Sequence, residues 1–203
     1  MGKVIADISI SLDGYVAGPN DNSENPLGVE GRRIQEWLFD LAFFEEMHGR
    51  DGGNTGADDD VLRETFERAG AVVMGRRMYD LGEPFWRDHP PFAVPVTVLT
   101  NRIQPAIDSD EDTTFTFVES VSSALRHARA AAGDADVLVG GGGSTIRQFF
   151  EAGLLDELQL HISPVVMGGG VKLFEPNDHD AIGLECARVI ESPRVTHVTY
   201  RVL

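Results

Sequence analysis

At 203 residues and 42% apolar content, the chain is the size of one medium domain around a single core. A net charge of −16 excludes nucleic acid and anionic membrane surfaces as natural partners, because the overall field repels them. One cysteine, Cys186, rules out an internal disulfide, no apolar run is long enough to cross a bilayer, and the opening MGKVIADISI lacks a signal peptide's build; a cytoplasmic protein is expected.

In chain order, residues 3–12 alternate, with Val4, Ala6, Ile8, Ile10 and Leu12 on one face of a strand. SLDGYVAGPND reads as turn and loop. Over 32–48, Ile34, Trp37, Leu38, Leu41 and Phe44 fall at helical spacing and predict an amphipathic helix, followed by the glycine-rich RDGGNTGA. ADDDVLRETFERAG predicts a second helix with acids in its first turn and Gly70 as its stop. AVVMG is a short buried strand, and RRMYDLGEPFW opens a helix that fades toward the prolines. VPVTVLT and TFTFV are strands. SVSSALRHARAAAG is a helix with Ser120 as N-cap and Gly133 as its end. DVLVG is a strand, and STIRQFFEAG a helix with Ile146, Phe149 and Phe150 on one stripe. DELQLHISPVV, LECARVIES and VTHVTYRVL complete the chain as strands, the last two as an antiparallel pair; Cys186 is expected there as a small packing residue. Alternating strands and helices followed by a strand-only tail predict an α/β fold, a mixed sheet covered by helices. Without repeats, coiled-coil runs or a linker, residues 1–203 read as a single domain.

Four consecutive glycines, Gly140–Gly143, separate the DVLVG strand from the helix after it. A P-loop is excluded because Gly143 runs into Ser144 with no lysine, and the dinucleotide fingerprint because its third glycine is Thr145. The arrangement is nevertheless strand, glycine turn and helix N-terminus, where unpaired amides and a positive partial charge suit a phosphate. VVMGRRMYD repeats the design with Gly75, Arg76 and Arg77, and VLTNR ends a strand in Thr100, Asn101 and Arg102. Lys3 and Lys172 are the only lysines, so arginines beside glycine turns are what an anionic ligand could use against the repelling field. Converging at strand C-terminal ends, the three segments suggest a phosphorylated dinucleotide. DSDEDTTFTFVE places acids at calcium-loop positions but has Thr113 where the turn glycine belongs. No histidine spacing suits zinc, so no metal is expected.

SLDGYVAG, VVMGRRMYD, VTVLTNR and VGGGGSTIRQFFEAGLLDELQLHISPVVMGGGVKLF, in this order, resemble the dihydrofolate reductase superfamily. They are most similar to the C-terminal reductase domain of the bifunctional riboflavin-biosynthesis deaminase–reductase and its stand-alone relatives. The resemblance spans nearly the whole chain except about residues 20–57, which read as an insertion or lid. It implies a three-layer α/β/α fold with a mixed, mostly parallel sheet of about eight strands, NADPH as hydride donor, and often a homodimer.

By the same resemblance Gly141, Gly142 and Gly143 form the turn over the pyrophosphate, often with a cis Gly–Gly bond, and Ser144, Thr145 and Ile146 the helix start after it. Gly75, Arg76 and Arg77 match the second phosphate turn. Thr100, Asn101 and Arg102 match the segment near the adenosine ribose, where an arginine favours the 2′-phosphate. The family's acid, at the start of the helix before the MGR-like strand, corresponds to Asp59, flanked by Asp58 and Asp60; Asp59 and Asp60 are the candidate proton donors. Asp40 in FDLAFF imitates that motif but lies too far upstream. Asp13 matches the turn aspartate and, with Trp37 of the insertion, is a candidate substrate contact. Tyr15 stands where riboflavin-pathway reductases often carry lysine. The implied activity is hydride transfer to a small heterocycle, as in 5-amino-6-(5-phosphoribosylamino)uracil reduction; dihydrofolate reduction and a non-catalytic NADPH-binding protein are the alternatives.

Overall fold

The computed structural model describes residues 2–86, 90–109, 112–175 and 183–203. The first half runs β1 (Val4–Ser11), β2 (Tyr15–Ala17), a 3-10 turn (Gly31–Ile34), α1 (Ala42–Met47), α2 (Ala57–Glu67), β3 (Ala69–Gly75), α3 (Arg76–Trp86) and β4 (Val96–Leu99). The second half runs β5 (Ile107–Asp108), β6 (Thr114–Val118), α4 (Val121–Ala132), β7 (Asp136–Val139), α5 (Gly143–Glu151), β8 (Glu157–Ser163), β9 (Val171–Lys172), β10 (Leu184–Glu191) and β11 (Thr196–Val202).

Nine strands form one sheet in the order β10-β11-β8-β1-β7-β3-β4-β6-β5, and β2 pairs with β9 in a separate antiparallel ribbon. From β8 to β6 all neighbours are parallel; the β10–β11–β8 side and the β5–β6 edge are antiparallel. The parallel strands therefore open their C-terminal ends along one rim, where an open α/β sheet places its ligands.

Helices cover both faces because both faces are apolar over the parallel strands. On one, Val4, Ala6 and Ile10 of β1 pack with Ala124 and Ala128 of α4 and Ile146 and Phe149 of α5. On the other, Val72, Met74 and Val98 pack with Tyr79 of α3 and Phe66 of α2. Burying each Val, Ile or Phe is worth roughly 1.5–3 kcal/mol, so these two layers dominate the fold's stability. Helix α4 is bounded as its sequence demands: the Ser123 amide donates to the Ser120 hydroxyl at 3.2 Å, and Gly133 closes it at φ 62°.

Two expectations change. Residues 32–48 do not form one helix: a 3-10 turn, a series of turns and the six-residue α1 replace it. Tertiary partners take the backbone groups a continuous helix would use. Ser163 Oγ donates to the Ile34 carbonyl at 2.6 Å, the Asn54 amide to the Asp40 carbonyl at 2.7 Å, and the Ala42 amide to the Asn54 carbonyl at 2.9 Å. The apolar spacing still points Ile34, Trp37 and Leu41 inward, since successive turns share the helical period closely enough. Second, Cys186 is exposed, because β10 is an edge strand with one sheet neighbour and most of its residues exposed. The expected TFTFV strand is β6, and Ile107–Asp108 pairs antiparallel with its Thr114–Phe115; Asp110 and Glu111 of the calcium-like stretch lie outside the described residues.

Candidate active site

Two turns meet at the rim. After β7 the chain bends through Gly140–Gly143, with a cis peptide between Gly141 and Gly142, and enters α5; after β3 it bends at Gly75 into α3. They are stitched together: the Gly140 amide donates to the Val73 carbonyl at 3.0 Å, and the Gly75 amide to the Gly141 carbonyl at 2.9 Å. Gly75 must be glycine, since a Cβ there would overlap the Thr145 hydroxyl oxygen. Gly141 sits at φ 124°, a conformation L side chains rarely adopt, while a Cβ on Gly142 would project into open space.

The amides of Gly141, Gly142, Gly143 and Ser144 have no acceptor among the described residues. Those of Thr145 and Ile146 are already used, donating to the Gly142 carbonyl at 2.9 and 3.2 Å. Thr145 and Ile146 stand at the helix start as expected, Ile146 wholly buried in the α5 core and Thr145 nearly so, and their amides lock the turn. Four unpaired N–H groups at a helix start are an anion site in waiting.

Beside this turn lies a cavity of about 520 Å³ lined by Arg76, Arg77, Asp80, Thr100, Asn101, Arg102 and Gln148 among others. Asp80, which the sequence reading missed, organises it. Arg76 Nε donates to Asp80 Oδ1 at 2.6 Å, and Arg102 pairs with the other carboxylate oxygen. Arg76 also donates to the Arg102 carbonyl at 3.2 Å, and the Arg102 amide to the Thr100 hydroxyl at 2.9 Å. Arg77 reaches instead to Asp21 of the 20–57 segment, which holds its guanidinium above its usual range by a direct hydrogen bond. An i,i+4 Arg76–Asp80 pair on α3 was legible in principle; that Arg102 would close on the same carboxylate was not.

Asp13 is tied to the neighbouring loop. Its carboxylate accepts from the Met167 amide at 3.0 Å, the Gly168 amide at 2.7 Å and the Ser11 hydroxyl at 2.7 Å. The Met167 amide above all lowers its pKa to about 2. Two of these bonds hold the 165–170 loop against the turn, so Asp13 acts as a staple between them.

The three acids of α2 separate by direction. Asp59 is buried and accepts from the Phe43 amide at 2.6 Å, which anchors α1; Asp60 is exposed. Asp59 and Asp60, the expected proton donors, thus lie in different surroundings, since one helical turn sends successive side chains in different directions. Asp58 lies 3.0 Å from His197 Nε2 and accepts from Ser192 Oγ at 3.0 Å. Asp40, outside any helix, pairs with Arg194 at 2.8 Å and falls below its usual range chiefly for that reason. Trp37 is 2% exposed and donates to Ser9 Oγ at 3.1 Å, with its ring 4.8 Å from His161 and 5.0 Å from His197. Trp37 thereby packs the 20–57 segment, of which it is part, against β1, β8 and β11.

Beneath Trp37 is a polar patch that the sequence reading missed, though alternation could have found it. The alternation that sends Val4 and Ala6 into one core sends Asp7, Ser9 and Ser11 to the opposite face, and Gln159, His161 and Ser163 of β8 lie beside them. His197 of β11 faces His161 in register. Polar side chains alternating along central strands of a doubly covered sheet have no solvent to face, so they mark a site or a buried network.

The family model of the RibD C-terminal domain matches residues 2–198. No curated protein matches the chain significantly. Among solved structures, a protein from Shewanella sp. PV-4 described as a candidate riboflavin biosynthesis protein is 25% identical with a TM-score of 0.70, covering 99% of each chain. A pyrimidine reductase-like protein from Corynebacterium diphtheriae shares the fold at 16% identity and a TM-score of 0.60, covering 100% of this chain and 92% of that one. A diaminohydroxyphosphoribosylaminopyrimidine deaminase/5-amino-6-(5-phosphoribosylamino)uracil reductase from Thermotoga maritima shares it at 14% identity and a TM-score of 0.61; all of this chain corresponds to 57% of that longer protein. With the paired turns at the rim, the dihydrofolate reductase-like sheet and a family match along almost its whole length, the chain belongs to the RibD C-terminal domain family.

Proposed function

We propose that the chain is an NADPH-dependent reductase of a small heterocycle of the riboflavin-pathway kind, related to 5-amino-6-(5-phosphoribosylamino)uracil. The observation that carries this reading is the stitched pair of turns with unpaired amides at Gly141–Ser144 beside the Arg76–Asp80–Arg102 cluster. The residues fit the cofactor: open space at Gly142 admits a pyrophosphate close to the backbone, and the four amides answer its charge without a lysine. Arg102, 62% exposed along its side chain, is the group for a ribose 2′-phosphate, with Asp80 and Arg76 fixing where its fork points. NADPH, when bound, supplies hydride. The protein positions it, excludes water with the 20–57 cover, and must provide a proton.

Calorimetric titration tests the cofactor. NADPH should bind wild type more tightly than NADH, and Arg102→Ala should weaken NADPH about tenfold, the worth of one charge-assisted contact, while leaving NADH unchanged. Equal loss for both would remove the 2′-phosphate role. Steady NADPH oxidation with 5-amino-6-(5-phosphoribosylamino)uracil then tests the reaction.

A further inference from the structure

Four side chains form a continuous hydrogen-bonded chain under the cover. Asp7 Oδ2 lies 2.8 Å from His161 Nε2, His161 Nδ1 lies 2.6 Å from His197 Nδ1, and His197 Nε2 lies 3.0 Å from Asp58 Oδ1. Both imidazoles are buried, 2% and 3% exposed. Three contacts need three protons, one in each. Two neutral imidazoles bring only two, and the carboxylates take both through the Nε2 atoms; the Nδ1 atoms would then confront each other as lone pairs at hydrogen-bond distance. A third proton converts that repulsion into an N–H···N bond, and a fourth would force N–H against N–H and open it. The closed chain therefore carries two carboxylates and one imidazolium charge shared by the histidines.

Its position gives the extra proton a use. The β1–β7 pairing ends at Ala6 and Val139, so Asp7 stands level with Gly140, where the glycine turn begins, and its side chain keeps 14% exposure. Resting on the reductase reading, we propose that Asp7, His161, His197 and Asp58 are the proton store of this site, with Asp7 its outlet toward the crevice and the histidines positioning residues behind it. Reduction of a C=N or C=O bond adds hydride to carbon and a proton to the heteroatom; the cofactor is oxidised, the chain falls from three protons to two, and water refills it.

The surroundings favour a single stored charge. His161 faces Asp7 from β1, Trp37 from the cover and His197 from β11. His197 faces Asp58 from α2, and Ser192 and Arg194, from the β10–β11 turn, bear on that carboxylate. His197 also lines a cavity of about 330 Å³ that holds Lys3, Glu64, Arg68, Glu157 and Arg188. Burial, with His161 next, pushes the His197 imidazole below its usual range. Among the described residues no group of three or more His, Cys, Asp or Glu side chains is arranged to hold a metal ion, and the facing Nδ1 atoms suit a proton instead.

Long-range proton–nitrogen NMR of the ¹⁵N-labelled protein from pH 5 to 9 tests the store without cofactor. Both Nε2 atoms should be protonated and one low-field proton shared between the Nδ1 atoms, lost on raising the pH. In Asp7→Asn, which keeps an acceptor for His161, that loss should come at least one pH unit lower, because the carboxylate charge that retains the proton is gone. Wild-type turnover should fall at the pH where the shared proton leaves, and the Asp7→Asn profile should shift with it at unchanged NADPH affinity. No shared proton in wild type, or a midpoint or turnover profile unmoved in Asp7→Asn, overturns the proposal. If wild type neither binds nor oxidises NADPH, the reductase reading falls, and with it the reaction the store serves, whatever the spectra show.

Discussion

Gly75 is the residue on which the two turns depend. Any side chain there meets the Thr145 hydroxyl, so the close approach that lets the Gly75 amide reach the Gly141 carbonyl requires glycine. Gly75→Ala should cost about 1–3 kcal/mol of stability as an overpacked contact and lower cofactor affinity by spreading the turns. In Gly75→Ala/Thr145→Ala the obstructing hydroxyl is gone, so the double variant should be less destabilised than the sum of the singles. Denaturant titration of the three variants measures both effects; strict additivity would mean that the two residues do not press on each other. Residue types here were legible in advance, because glycine and arginine announce turns and anions. Asp80 was not, since an acid among arginines has meaning only once α3 and the strand-end loop after β4 are brought together.

At the scale of elements, the loop 165–170 is held by one carboxylate. Asp13 accepts two backbone amides from it, and its pKa of about 2 lies below the usual 3.8. A depressed acid stabilises the fold above its unfolded value, so this contribution is complete above about pH 4 and is lost as pH falls toward 2. Stability measured from pH 2 to 5 should decline less steeply in Asp13→Asn than in wild type; parallel curves would show that the staple carries no linkage. The cover depends on Trp37 in a comparable way. Trp37→Phe leaves the Ser9 hydroxyl without its donor and should cost about 1–3 kcal/mol, read from the same denaturant midpoints. The failure of the predicted 32–48 helix belongs to this scale too. A short amphipathic segment has little intrinsic helical stability, so carbonyls and amides at Ile34, Asp40 and Ala42 go to partners from β8 and the 50s loop.

For the whole molecule, two long-range effects should be measurable. With a net charge of −16, self-repulsion opposes compaction, and raising salt from 0.1 to 1 M should raise the melting temperature. A fall instead would mean that ion pairs such as Arg68–Asp136 and Arg194–Asp40 outweigh the repulsion. His197 adds a second dependence. Its folded pKa lies below the usual 6.5, so protonating His197 itself favours the unfolded chain: this group's contribution is complete above about pH 6.5 and declines as pH drops below it. His197→Gln should lack that decline, as denaturation between pH 5 and 8 would show.

Local order on this chain was written in short-range pattern. Alternation set β1, a cap and a glycine set α4, and the tetraglycine run with the arginines at neighbouring strand ends suggested where an anion could sit. These are readable because strand and helix periods and backbone conformational needs act over a few residues. What the three-dimensional arrangement alone decided is which acid matters and where charge collects. Asp59 anchors α1 while Asp58 meets His197; Asp80 gathers two distant arginines; and Asp7, His161 and His197 become one chain only when β1, β8 and β11 lie side by side. Hydrogen bonds and desolvation act through space, and residues as far apart as 7 and 161 become neighbours only through the order of the strands.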